Sequence, residues 1–347
     1  MNAMARHAND ARLRGLLRSA AGRAPPAGGR RQWLLQTLAA GVAWEAAPLQ
    51  ALRVRALRLI VVYPPGGASD AFVRVLAPAL EAVLGHPVWI DHRGGAGGAI
   101  GLRLLAHAAA DGHTVALSAI TPFTLRRLRS DALPPLGGPD GLVPIGAALH
   151  TPSLLVATPA LHAADFAAML QQARRRSRPL RWATSGHGTT GHLILEQVQR
   201  QSGSRFTHIP YQGGGTQLND ALGSHFELLS TNVALQQMAH VRQGRLRALA
   251  VGFGQRVAAL PAVPTLAELG FASANLASVF GLFAPPRTPA ATVLRLNQAL
   301  RAALQAPAVR QHIDASHQQA GDGSAQAFAH AIEQERRRNS DLPLQPR

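Results

Sequence analysis

From Leu57 onward the sequence repeats one unit: a short apolar run, a turn rich in glycine and small hydroxyl residues, then an amphipathic stretch. "LRLIVVY" (57–63) has the pattern of a buried strand, Pro64-Pro65-Gly66-Gly67 breaks it, and residues 71–84 resume at helical spacing. "HPVWIDH" predicts a second strand, residues 100–109 a helix after a glycine loop, and "HTVALSA" a third strand. This βαβαβ rhythm predicts a mostly parallel sheet with helices on both faces. A second series starts at "SLLVATPAL" (153–161). It continues with a helix at 164–175, strands at "LRWATS" and "FTHIPY", a helix at 216–222, and strands at "FELLSTN" and "LRALAVG". "SVFGLFAPPRTPA" then leads into two terminal helices, 291–304 and 325–338. The expectation is two α/β lobes with crossings near residues 150 and 278. One lobe comprises 55–152 and 278–347, the other 153–277. Ligands of such sheets lie beyond the C-terminal strand ends, so a cleft between two lobes collects loops from both.

Composition removes several function classes. Hydrophobic residues make up 47% and charged residues 15%, which suits a packed core and not a disordered chain. There is no cysteine, hence no disulfide and no thiolate chemistry. The net charge is +17 and every basic residue is arginine, a surface that attracts anions in general. With aromatics at 5% and no run of alternating basic and aromatic residues, nucleic acid is not the expected partner.

Residues 1–51 read as an N-terminal extension and export signal. Arg30-Arg31 form a positive start, Trp33 to Trp44 a short apolar run, and Leu49-Gln50-Ala51 a small-residue exit. The apolar run falls short of the about 20 residues of a bilayer-spanning helix. Arg30-Arg31-Gln32-Trp33-Leu34 resembles a twin-arginine signal, which places the mature product in the periplasm.

Four loops follow the strand, glycine-and-hydroxyl, helix pattern: 64–70 (PPGGASD), 93–101 (RGGAGGAIG), 184–192 (TSGHGTTGH) and 210–216 (PYQGGGT). Glycine lets backbone approach a ligand, and exposed N–H groups with hydroxyls supply donors without a charged side chain. A chain without lysine has no Walker A loop, and no acidic residue ends "HTVALSA" to complete a dinucleotide fingerprint. Ser185 with His187 raises a second reading, a Ser/His-dependent hydrolase of small esters or amides. A-T-S-G-H is not a nucleophile elbow, however, and no nearby carboxylate in sequence orients His187 or His192. Fifteen histidines lie scattered without H-E-x-x-H, so neither a metal nor another cofactor is expected, and no catalytic residue is assigned. A third reading, an anion-responsive regulatory module, lacks a preceding helix-turn-helix. Asp70 is placed to satisfy backbone donors at its helix start, and Asp220 to do similar work on the fourth loop's helix.

Taken in order, "RLIVVYPPGGASDAFVRVL", "DHRGGAGGAIG", "ATSGHGTTGHL", "HIPYQGGGTQLNDALGS", "GRLRALAV" with "LPAVPTLAELG", and "FGLFAPPRTPA" resemble the blocks of the Bug-type extracytoplasmic solute receptors. These are the substrate-binding subunits of tripartite tricarboxylate transporters. The resemblance implies a type II periplasmic-binding-protein-like fold, a small carboxylate ligand, membrane transporter subunits as partners, and a monomer that binds without turnover. It places ligand contacts on Gly66, Gly67, Ala68 and Asp70 in the first loop and on Gly97 and Gly98 in the second. It adds Ser185, Gly186 and Thr189 in the third and Tyr211 and Gly213 in the fourth, with Ser118 and Thr121 after the third strand. The chain departs from the family pattern at His92 and Ala99, where asparagine is usual, and at Gly94, where proline is usual. It departs again at His187 in place of asparagine and Gln212 in place of lysine. Glycine for proline at 94 implies a loop with more freedom to lose on binding.

Overall fold

The computed structural model describes residues 55–124, 135–321 and 323–339; the export signal read over 28–51 lies outside them. The first sheet has the strand order β11-β4-β10-β3-β1-β2, with β1 Leu57–Val61, β2 Val88–His92, β3 Thr114–Ala119, β4 Val143–Thr151, β10 Ser278–Ala284 and β11 Gln319–Ala320. The second has the order β7-β6-β8-β5-β9, with β5 Ser153–Ala157, β6 Leu180–Thr184, β7 Phe206–Pro210, β8 Leu228–Asn232 and β9 Arg247–Gly252.

Helices cover both faces of each sheet. In the first lobe these are α1 Ala68–Leu84, α2 Ala99–Ala106, α8 Ala290–Leu304, α9 Pro307–Ala315 and α10 Ala325–Asn339. In the second they are α4 Phe166–Arg175, α5 Thr190–Ser202, α6 Gly214–Leu222 and α7 Leu235–Arg242. Helix α1 shows why the pattern folds this way. Phe72, Leu76 and Leu80 recur four residues apart and are buried, each contributing about 2 kcal/mol on leaving water. Gly85, at φ 73°, then ends the helix in the left-handed conformation that favours glycine. No helix among the described residues is long and apolar enough to cross a membrane.

The two lobes hold separate cores. One packs Leu59, Phe72, Leu117, Leu282 and Leu300 around the first sheet; another packs Phe166, Trp182, Leu195 and Leu249 against the second. The sheets are mixed and not mostly parallel. β1 pairs in parallel with β2 and β3, and β6 with β7 and β8, whereas β10 and β5 run antiparallel to their neighbours. The reason lies in the crossings. β4 runs toward the cleft and passes through Pro152 directly into β5, and β10 enters the first sheet at Ser278 on return from the second. A strand that starts at the cleft end must oppose strands that finish there. Strands β4 and β11, helices α5, α7 and α9, and the short α3 Thr121–Thr124 are additional to the elements expected from sequence.

Candidate functional site

Where the lobes face one another lies a cleft of about 700 Å³, open solvent at its mouth included. Three helix starts reach it: Gly67, Ala68 and Ser69 of α1, Thr189 and Thr190 of α5, and Gly214 of α6. The first N–H groups of a helix have no intrahelical acceptor, and the summed peptide dipoles give that end a partial positive charge. The remaining wall is neutral. Ser185, Gln217, Ser230, Thr231, Asn232, Gln237 and Ser278 supply hydroxyls and amides, and Tyr63, Ala119, Pro122 and Phe280 supply apolar surface. No charged side chain is among the lining residues. The side-chain oxygens Oε1 of Gln217 and Gln237 are buried without a hydrogen-bond partner.

In the first lobe the loops are held by charge. Asp70 Oδ2 accepts from the Gly66 N–H at 2.9 Å, and Oδ1 meets His92 Nε2 at 2.9 Å and Arg74 Nε at 3.0 Å. Burial opposes the ionised carboxylate, but the Gly66 N–H, Arg74 and His92 outweigh it and hold Asp70 below the usual carboxylate range. Asp91 behaves alike, buried yet held low by Arg58 and Arg93. Tyr63, whose hydroxyl accepts from the Ala119 N–H at 3.2 Å, is pushed above its ordinary value by burial.

In the second lobe the loops are held mainly without charge. Thr184 Oγ1 donates to Gly186 O and accepts from the Gly186 N–H, both at 3.2 Å, and Thr189 Oγ1 donates to the same carbonyl at 2.8 Å. Thr184 Oγ1 also meets His208 Nε2 at 2.7 Å. Burial, then the neighbouring His192 and His187, lower His208 to about 3. Tyr211 donates its hydroxyl to Asp220 Oδ2 at 2.5 Å, and burial followed by that carboxylate raises its pKa.

The lobes touch through glycine. A Cβ at Gly97 would lie 2.6 Å from His187 O across the seam, and one at Gly213 would lie 2.5 Å from Pro64 Cδ. Both residues have positive φ, 63° and 146°, so a side chain there is strained as well as blocked. Thr121 Oγ1 adds a hydroxyl pair with Thr190 Oγ1 at 3.0 Å.

Of the residues singled out from sequence, Gly67, Ala68, Ser185 and Thr189 line the cleft. Gly66 and Asp70 are not among the lining residues, and the hydrogen bond between them fixes the loop. Gly97, Gly186 and Gly213 serve lobe contact, Gly98 packs on Val62, and Thr121 bonds to Thr190. Ser118 is fully buried and donates to Ala119 O, while Tyr211 spends its hydroxyl on Asp220. Gln212 is exposed. Gly94 sits against Pro64 with no room for a Cβ. The histidines are not scattered: His187, His192 and His208 converge, and Glu196 stands 3.5 Å from His192 Nε2. Tyr63, Pro122, Gln217, Gln237 and the run Ser230-Thr231-Asn232 were not singled out. For that run the available signal is three small polar residues ending a buried apolar strand.

Residues 72–343 match the family model of the tripartite tricarboxylate transporter family receptor. The chain belongs to that family. BugT of Bordetella pertussis is 35% identical over 266 residues, covering 76% of this chain and 81% of its own. A protein from the tcbD-tcbE intergenic region of Pseudomonas sp. strain P51 is 32% identical, covering 76% and 78%. Among solved structures, a periplasmic transporter protein superposes with TM-score 0.76 at 29% identity, covering 83% of this chain and 95% of its own. R. palustris Rpa4515 with adipate gives TM-score 0.76 at 28% identity, covering 83% and 96%. By family the chain is thus a solute-binding receptor and not an enzyme, and the hydrolase reading on Ser185 and His187 is set aside.

Proposed function

We propose that this receptor captures a small organic acid between its lobes and presents it, as a monomer, to membrane transporter subunits after export by its N-terminal signal. One carboxylate is held by backbone N–H groups and hydroxyls at the starts of α1, α5 and α6. The observation that carries this is the convergence of three helix N-termini on a cleft with no charged side chain in its wall. Neutral donors bind an anion without a salt bridge that would have to be desolvated on every capture and release.

The apolar wall of Tyr63, Ala119, Pro122 and Phe280 suits a short methylene chain, and the amides of Gln217, Gln237 and Asn232 suit a polar second end. A linear dicarboxylate meets both demands, and the adipate held by Rpa4515 is of that kind. The test is a thermal-shift and calorimetric series of linear dicarboxylates against their diamides. A ligand at a hundred times its Kd stabilises by about 2.7 kcal/mol, so the matching acid is expected to raise Tm by several degrees and its diamide not at all. Equal shifts from acid and diamide would remove the helix starts as the anion site.

A further inference from the structure

Behind the third loop, outside the wall of the cleft, three imidazoles meet. His187 comes from the loop after β6, His192 from the first turn of α5, and His208 from the middle of β7. One ring nitrogen from each lies within 4.8 Å of the others. The rings of His192 and His208 stack at 4.2 Å with 9° between planes, and His187 stands edge-on to both at 5.4 and 4.8 Å. His192 is buried and the other two are partly buried.

We propose that His187, His192 and His208 form a binding site for a divalent transition-metal ion of the zinc class. Imidazole nitrogens suit zinc, copper and nickel, whereas magnesium and calcium seek oxygen ligands. Three histidines also match the protein ligand set of open tetrahedral zinc sites, leaving a fourth position for water.

Polar partners beside two of the rings bear on which nitrogen of each carries the proton. Thr184 Oγ1 lies 3.2 Å from Gly186 O and 2.7 Å from His208 Nε2; with its proton on Gly186 O it accepts the His208 Nε2–H, and Nδ1 is then that ring's lone-pair nitrogen. His192 Nδ1 accepts from the Gly188 N–H at 3.1 Å and Nε2 faces Glu196 Oε1 at 3.5 Å, so ligation through Nδ1 takes that lone pair from the Gly188 N–H while Glu196 holds the ring proton on Nε2. A hydroxyl on one ring and a carboxylate on another are the partners that fix tautomer and raise ligand basicity. A tetrahedral site with bonds near 2.0 Å holds its nitrogens about 3.3 Å apart, so binding draws the rings together by side-chain rotation and opens the His192–His208 stack. The ion then joins the third loop to α5 and β7. That same loop carries Ser185 and Thr189 into the cleft and sets His187 O against Gly97 of the other lobe.

The test uses the untagged full chain, stripped with a chelator and titrated with Co²⁺ as a spectroscopic probe, followed by Zn²⁺ competition. Saturation near one equivalent with visible d–d bands, displaced by Zn²⁺, is the expected result. The readout involves no carboxylate, so it stands apart from the receptor's ligand. His187→Gln and His208→Gln should each weaken Co²⁺ binding by at least about tenfold, and the variant lacking all three histidines should lose the bands. The chain has fifteen histidines, so bands that survive the triple substitution would place the ion elsewhere and overturn the proposal. Absence of saturable binding by the wild-type chain would overturn it too. Should the triple variant fail to fold by circular dichroism, the His187→Gln variant decides alone, because its side chain sits on a partly exposed loop; unchanged affinity there refutes the site.

Discussion

The two sides of the cleft solve one problem with different chemistry. Each lobe must hold a glycine-rich loop still at a helix start. The first lobe uses ionised carboxylates: Asp70 gathers the Gly66 N–H, His92 and Arg74, and Asp91 gathers Arg58 and Arg93. The second lobe relies mainly on hydroxyls and a neutral ring at the same place, Thr184, Thr189 and His208, with one carboxylate, Asp220, accepting from Tyr211. Its ion pair between the exposed Arg181 and the buried Glu227 lies at the opposite end of β6. The difference teaches that a neutral wall does not require neutral supports. Charge may stand behind the loop provided it is fully paired, whereas in the wall it would compete with the ligand.

The largest effect expected on this contrast is from Asp70→Ala. It removes the carboxylate from the Gly66 N–H, His92 and Arg74 at a buried position, and should lower stability by about 3 kcal/mol in denaturant unfolding. A loss under about 1 kcal/mol would mean that charge does not hold the first-lobe loop.

Next is the seam itself. Gly97→Val places a branched side chain at φ 63° and 2.6 Å from His187 O, which should reduce acid affinity about thirtyfold, roughly 2 kcal/mol, while each lobe stays folded. Calorimetry on the variant measures it, and undiminished affinity would show that the lobes need not touch there to hold a ligand.

The two supports should also part in pH. His208 is lowered in the fold, so between its unfolded value near 6.5 and about 3 the unfolded chain binds the extra proton, and stability falls as pH drops through that window. With partial exposure discounted, acidifying the chelator-treated protein from pH 6.5 to 5 should remove about 1 kcal/mol from the second lobe. Asp70 is lowered as well, but as a carboxylate its contribution is intact above the unfolded value and is lost only as pH falls through the folded one. Burial shifts His312 of the first lobe in the same direction as His208, so the control is His208→Gln. Hydrogen exchange of second-lobe amides should show a shallower pH slope in that variant; identical slopes would reject the assignment. The smallest effect is from Tyr211→Phe, which removes one hydrogen bond to a half-exposed carboxylate and should reduce stability by about 1 kcal/mol or less, with acid affinity nearly unchanged. A large loss of affinity would return Tyr211 to the cleft.

Much of this receptor is written in local pattern. The apolar runs at 57–61 and 180–184, the stripe of Phe72, Leu76 and Leu80, and the glycine loops between strand and helix are short-range features, legible because strand and helix periods and turn chemistry act over a few residues. The blocks in order were enough to resemble the family that the chain belongs to. Residues at a helix start, such as Ala68 and Thr189, could be placed for the same reason.

What tertiary structure alone decided is which of those residues meet. Gly97 and Gly213 have the composition of ligand loops, and the fold sets Gly97 against the His187 carbonyl and Gly213 against the Pro64 ring. Gln217 and Gln237 sit on helices α6 and α7 with no local mark of a site, and only the sheet order turns them into the cleft. His187, His192 and His208 span 22 positions and three segments, and parallel pairing of β6 with β7 sets one ring beside the other two. Local propensity fixes what each segment becomes; contact between segments depends on strand order and on where the chain crosses, and those are settled by burying both sheets at once.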